Sequence, residues 1–438
     1  NDGTDTSWGT AGSSTPVDNT FRIQDNSDAT KQIAFEASGI ATGTTRTITM
    51  PDSDVTLVSS GAIVNADVNA SAAIAQSKLS LDITNSDINA SAAIAQSKLA
   101  TLAIDTAELA DDAVTVAKMN DSAYLANRNM IINGDFNVWQ RATSSTAGGY
   151  GYETADRWYF GGDSGAGKQT TRQSGTPQEG FQYHMKVDAN GIPASNYVGV
   201  EQAIETSTVV PLRSQTITVS VYARKGASAQ ADNTYQLRLA QSNSTDARST
   251  LNFGTGLTNT TMSLTTSFVR YSATVTVASD AVGISCSLVL TAGSSTATAN
   301  DYIEITGVQL EIGDTATPFE HKTYGQELQD CQRYYEKSYN QGTDPATATA
   351  VGAWMWRHTD AGPGVNTVSF QTPKRATPTM VSYGRASGTS GKITNMSGGA
   401  ADTTATAFNT GECSVTFSWT STGSETYVEG HWTADAEL

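Results

Sequence analysis

The side chains of this chain best equipped for chemistry are flat aromatic rings, and several of them cluster. Trp139, Tyr150, Tyr152, Trp158, Tyr159 and Phe160 fall in one short stretch. Rings of this kind bind sugars, because pyranose C–H groups pack on the ring face while the hydroxyls reach polar neighbours. Gly148, Gly149 and Gly151 surround Tyr150 and mark a loop. Tyr150 and Tyr152 are therefore expected to be exposed and are candidate sugar contacts. Trp139 and Trp158 sit in strand-like sequence and are expected in the core. A second set lies further on. Trp354 and Trp356, two residues apart, share one face of a strand, and His358 continues that face. These three are either the core of a small domain or a second candidate sugar platform. Tyr383, Trp419, His431 and Trp432 carry the same ambiguity.

No catalytic constellation accompanies the rings. His184, His321, His358 and His431 are scattered, and there is no Gly-x-Ser-x-Gly elbow, His-Glu-x-x-His helix or phosphate-binding glycine loop. The sequence reads as a binding or structural protein rather than an enzyme. Cys286, Cys331 and Cys413 lack metal-ligand spacing and are expected to be small buried residues. A net charge of −17 with no basic run argues against nucleic acid, which needs clustered cations. No stretch of roughly 18 apolar residues is present, so no membrane insertion is expected. No signal peptide is visible, and a start at Asn1 rather than Met leaves room for a missing N-terminal portion.

The elements that must position these residues are mainly β. Only 16% of the 438 residues are charged, against about 25% in typical domains. Thr and Ser fill much of the remainder and suit pleated surfaces. Five segments are expected. Residues 1–60 form a β-rich module with too little apolar material for a private core. Residues 61–127 hold a repeat: NASAAIAQSKL occurs at 69–79 and again at 89–99, a period of twenty, with a looser third copy ending at Met119. Such a unit cannot bury its Ile and Leu anchors alone, which predicts a β/helical stalk of several chains wound together. Residues 128–320 alternate apolar and polar with period two. Examples are Ile217, Val219, Val221 and Ala223, and Ile284, Cys286, Leu288 and Leu290. One face buried and one wet predicts an antiparallel jelly roll or β-sandwich. Residues 321–344 form a helical linker, with Leu328, Cys331 and Tyr335 at helical spacing. Residues 345–438 return to β as a smaller C-terminal sandwich.

Several stretches resemble tail fibre proteins of bacteriophages, notably those of marine bacteria and cyanobacteria. Phe21–Val58 is similar to a module that recurs in such fibres, and the NASAAIAQSKL repeat to their stalks. Asn127–Arg141 (NRNMIINGDFNVWQR), Ala155–Phe160 (ADRWYF) and Ile305–Lys322 (ITGVQLEIGDTATPFEHK) resemble the ends of a carbohydrate-binding-module-like sandwich. Ser369–Met380 (SFQTPKRATPTM) resembles the start of their C-terminal β domain. The resemblance implies an extracellular virion protein. It would be a homotrimeric tail fibre joined to other virion proteins at its N-terminus and attached to the host through a surface glycan. The alternative is a head fibre or tail decoration with a purely structural role. A polysaccharide depolymerase would show a long parallel β-helix repeat, and the repeat here runs for three copies. Sandwiches of this kind often hold a structural Ca²⁺. The resemblance places Asp135 as one ligand, with Glu304 or Glu311 substituting where Thr306-Gly307 replaces the usual acidic residues.

Overall fold

The computed structural model describes residues 22–54 and 127–438, apart from 176–179, 243, 249–255, 359–361, 398 and 422–425. The stalk expected at 61–127 therefore lies outside the described residues, but for Asn127. The chain divides into two compact units, Asn1–Ala103 and Ile104–Leu438.

In the first unit, β1 (Arg22–Gln24) pairs antiparallel with β2 (Gln32–Ala34), Ile23 opposite Ile33. Two Asx turns shape the connection. The Asp25 carboxylate accepts from the backbone N–H groups of Ser27 and Asp28, and Asp28 accepts from that of Thr30. Ile23, Ile33, Phe35, Ile48 and Met50 are all exposed. Among its described residues this unit has no buried apolar side chain.

The second unit opens with ten strands: β3 (Tyr159–Gly162), β4 (Gln169–Ser174), β5 (Tyr183–Asp188), β6 (Tyr197–Ile204), β7 (Thr216–Lys225), β8 (Thr234–Ser242), β9 (Gly256–Thr261), β10 (Val269–Thr276), β11 (Gly283–Thr291) and β12 (Tyr302–Ile312). A one-turn helix, α1 (Thr206–Val209), lies between β6 and β7. The strands form two five-stranded sheets, ordered β10-β7-β12-β5-β4 and β3-β6-β11-β8-β9, with every pairing antiparallel. The fold is a β-sandwich of jelly-roll type. Its core takes the alternating residues as the period required: Ile217, Val219, Val221 and Ala223 from β7 meet Ile284, Cys286, Leu288 and Leu290 from β11.

The opposite face of β7 differs from expectation. Thr218 and Ser220 are buried rather than wet. The segment following β12 folds back over this face. Thr218 Oγ1 donates to the Gly313 carbonyl at 2.7 Å, the Thr317 N–H donates to Glu311, and the Glu320 N–H donates to Gln309 Oε1. Ser220 Oγ accepts from the Arg270 guanidinium at 2.8 Å, so both buried hydroxyls on that face have partners, the condition for covering them. Glu320 also closes the sandwich by accepting from the Asn129 N–H at 2.7 Å. The two ends of the module thus meet. Two glycines make that closure feasible: a Cβ on Gly134 would lie 2.1 Å from the Val308 carbonyl oxygen, and Gly307 holds a φ of +60° at the bulge in β12.

Helix α2 (Tyr324–Gln332) begins at a capping box formed by Thr323 and Gln326. It stops before Tyr335, which belongs to a strand; the helical spacing from Leu328 through Cys331 does not extend that far. The remaining strands are β13 (Tyr335–Lys337), β14 (Trp354–His358), β15 (Gly362–Ser369), β16 (Thr379–Gly384), β17 (Lys392–Asn395), β18 (Ala401–Phe408), β19 (Ser414–Ser421) and β20 (Thr426–Asp435). They form one antiparallel sheet around β20, which pairs with β13 and β14 as well as with β16 and β17. Two small clusters fill it. Phe370, Val415, Phe417, Trp432 and Ala434 form one, Ile393, Ala405, Trp419 and Val428 the other, and Trp354 packs against both.

Charged contacts tie this sheet to the sandwich. Buried Arg141 reaches Asp435 at 3.0 Å and Glu437 at 3.4 Å, while buried Arg157 pairs with Glu437. Arg375 donates to the carbonyls of Ala436 and Glu437. Cys286 and Cys331 are buried, as expected, but Cys413 is exposed. It lies in the turn just before β19, where no core element covers it. Among the described residues no helix is long and apolar enough to cross a membrane.

Candidate functional site

Along the inner face of β4 and β5 the core comes to an end. Thr170, Val187 and Met185 are buried; two residues further along each strand, Arg172 is exposed and Tyr183 half-buried. The Arg172 guanidinium lies 4.7 Å from the centre of the Tyr183 ring, a cation–π arrangement that holds both side chains upright. Here a cleft of about 290 Å³ opens, lined by Asn137, Trp139, Arg172, Gln182, Tyr183, Tyr324, Gln341 and Gly342.

Each wall has a local cause. Trp139 is buried, its indole N–H donating to the Phe136 carbonyl. Tyr324 is the first residue of α2, and the Thr323 cap fixes where its ring, 49% exposed, emerges. Gln341 and Gly342 arrive from the loop after β13, where the Lys337 ammonium donates to the Gln341 carbonyl at 3.1 Å. Asn137 donates its amide N–H to the Asp135 carboxylate. A carboxylate only accepts, so this bond fixes the amide with Oδ1 as the free acceptor. Asn137 Oδ1 and Gln341 Oε1 are both buried and without a protein partner among the described residues, as is Asp135 Oδ1. A buried acceptor left unmade costs about 1–3 kcal/mol, so a donor entering the cleft, from water or a ligand, would be stabilised at Asn137 and Gln341.

Two carboxyl groups lie behind these walls. Burial pushes the Asp135 carboxyl above its usual range. It pushes Glu327 up to about 7, against the lowering effect of the Asn133 N–H that it accepts. Among the described residues no group of three His, Cys, Asp or Glu side chains is arranged to hold a metal.

The residues singled out in the sequence fall in three places. Tyr150 is 58% exposed in its glycine loop and packs edge-on against Tyr159. Tyr152 is half-buried: its hydroxyl donates to the Leu438 carbonyl at 3.0 Å, and the Arg141 guanidinium lies over its ring. The end of the chain thus occupies the polar tip that a sugar would need. Trp354 stacks on Phe417 inside the terminal sheet, with ring centres 5.9 Å apart, and Trp356 is exposed. His358 ends β14 opposite Thr426, and its side chain lies outside the described residues. Asp135 and Glu304 do not form a common ligand set. Glu304 is engaged by Arg224 and His184, which hold its carboxyl below the usual range despite burial, and Glu311 is taken up by Thr317. This geometry does not fit a shared calcium ion.

Of the cleft residues, Trp139 belongs to the aromatic cluster visible in the sequence, where it reads as core. Asn137 lies in the same stretch. Arg172, Gln182, Tyr183, Tyr324 and Gln341 carry no local signal, because the fold alone brings these distant positions together.

No protein-family model and no curated protein matches the chain. Among solved structures, similarity is found to the enzymatically active domain of tailspike protein 4 of bacteriophage CBA120, at 11% identity and a TM-score of 0.28. That match covers 42% of this chain, which spans 22% of the length of the tailspike domain. TmCBM61, solved with β-1,4-galactotriose, matches at 13% identity and a TM-score of 0.26, covering 43% of this chain and 100% of the other. The C-terminal family 22 carbohydrate-binding module of Clostridium thermocellum Xyn10B matches at 17% identity and a TM-score of 0.26, covering 40% and 97%.

Proposed function

We propose that this chain is a non-enzymatic glycan-binding fibre protein of a virion, attaching the particle to a host surface through the cleft beside β4 and β5. The observation that carries the reading is the joint presence there of ring surfaces (Trp139, Tyr183, Tyr324) and buried, unpartnered amide oxygens (Asn137, Gln341). Rings take the C–H faces of a sugar, and orphan acceptors take its hydroxyl protons. Little else in common biological chemistry supplies both along one residue. The resemblance of Asn127–Arg141, Ile305–Lys322 and the stalk repeat to phage tail fibres supports the virion setting. In a homotrimer, three weak sites on one fibre reinforce each other by effective concentration.

The test is a glycan array of bacterial surface polysaccharides probed with the full chain, followed by titration of the best ligand. Tyr183→Ala and Tyr324→Ala should each weaken binding about tenfold or more, equivalent to about 1.4 kcal/mol. Tyr150→Ala, outside the cleft, should leave it unchanged. Binding that survives loss of both tyrosines would move the site elsewhere, and no binding to any glycan would leave the head-fibre or decoration role.

A further inference from the structure

Arg172 is the one charged side chain in the cleft lining. Arg141, Arg157, Arg224, Arg333 and Arg385 each pair with a carboxylate, while Arg213 and Arg270 donate to backbone carbonyls. Arg172 makes no ion pair among the described residues. Its backbone N–H donates to the Thr143 carbonyl at 2.8 Å and its guanidinium rests over Tyr183, with no acceptor for its fork of N–H donors among the described residues. A guanidinium fork matches a planar or tetrahedral oxyanion with two parallel hydrogen bonds, a geometry that no neutral sugar hydroxyl supplies. Asp135, two residues from Asn137, is turned to that side chain's amide, and burial raises its carboxyl above the usual range.

We infer that the cleft selects an anionic sugar residue, its charged substituent on Arg172 and its ring against Tyr183 and Tyr324. The inference rests on the glycan-binding reading above and narrows it to acidic polysaccharides. A carboxylate, as in a uronic acid, and a sulfate ester share the required chemistry.

The experiment uses the full chain on an array of bacterial surface oligosaccharides, each present in native form and with its carboxylates reduced to alcohols. Sulfated glycans are included beside their desulfated counterparts. The expected result is at least tenfold tighter binding to the charged member of a pair, with an advantage that shrinks as salt rises. Arg172→Gln, a change at an exposed position that keeps hydrogen-bonding capacity, should remove the advantage, so that the charged and neutral members of each pair bind alike. Preference for the uronate pair identifies the carboxylate, and preference for the sulfated pair the ester. Equal or tighter binding of the neutral members would overturn the inference while leaving the glycan-binding reading standing. So would a charge preference that persists in Arg172→Gln. Absence of binding to every glycan would remove the reading itself.

Discussion

The sandwich keeps its apolar side chains in one continuous core between two five-stranded sheets, whereas the terminal sheet divides a smaller set between two clusters that share Trp354. The sandwich runs on dispersion and burial across a broad interface, and its buried carboxylates Glu304 and Glu311 lie on the face of β12 turned away from that core. The terminal sheet places an ion pair inside. Lys374, almost fully buried, bonds to Glu336 of β13 at 2.6 Å and donates to the Thr372 carbonyl, while Glu336 also accepts from the Gln371 N–H. Where the core is too small to specify how the first strand docks, a fully bonded charge pair does so. The sandwich has no such need. Its neighbours are set by register, as between β7 and β10, where eight consecutive residues pair without a slip.

The largest expected effect follows from that pair. Lys374→Ala leaves Glu336 buried without its cation and should cost about 3–5 kcal/mol, the usual range for breaking a buried pair. Hydrogen exchange should show the loss first in β13 and β20, with the sandwich strands protected longer. The double change Lys374→Met with Glu336→Leu, which removes both charges, should recover most of the stability. If the double variant is as unstable as the single one, the pair is not what distinguishes the two regions.

A comparable cavity in the sandwich gives the next effect. Leu288 lies on β11, flanked by β6 and β8, and is fully buried. Leu288→Ala should cost about 2–5 kcal/mol through lost transfer energy and the residual cavity, read as a lowered midpoint in denaturant. Here the exchange pattern should reverse, with β6, β8 and β11 opening together. Loss confined to β11 alone would contradict a single cooperative core.

These contrasts also explain what could be read from the chain in advance. Period-two alternation announced β7 and β11, because each buries one apolar row against the facing sheet. The burial of Thr218 and Ser220 was invisible, since the segment that covers them follows β12 and meets β7 only through the fold, as between Thr218 and Gly313 (|i−j| = 95). The aromatic cluster pointed to sugar chemistry near residue 139, yet only Trp139 of its members lines the cleft. Tyr152 was assigned to solvent by its glycine neighbours, a local argument that cannot anticipate the chain's last residues packing over it. Arg172, Tyr183 and Tyr324 were illegible for a similar reason: each is an ordinary surface residue until β4, β5 and α2 are brought side by side.

The smallest expected effect sharpens the comparison through pH, since Glu327 sits on α2 between the sandwich and the terminal sheet. Burial raises its folded-state pKa from 4.5 to about 7, with the nearby carboxylates of Asp135 and Asp330 adding to the rise. A carboxyl raised in the folded state binds its proton more tightly there than when unfolded. Its contribution is therefore complete below about 4.5 and is lost as pH climbs through about 7. Asp156, raised by burial to about 6 despite Arg141, acts in the same direction over a lower window. Glu327→Gln keeps an acceptor for the Asn133 N–H but cannot ionise. Its stability, measured in denaturant, should match the parent near pH 4.5 and exceed it by pH 8, the gap opening between those values to on the order of 3 kcal/mol. A gap that is constant with pH would mean that Glu327 is already ionised in the folded protein, and that the junction of the two regions tolerates a buried negative charge.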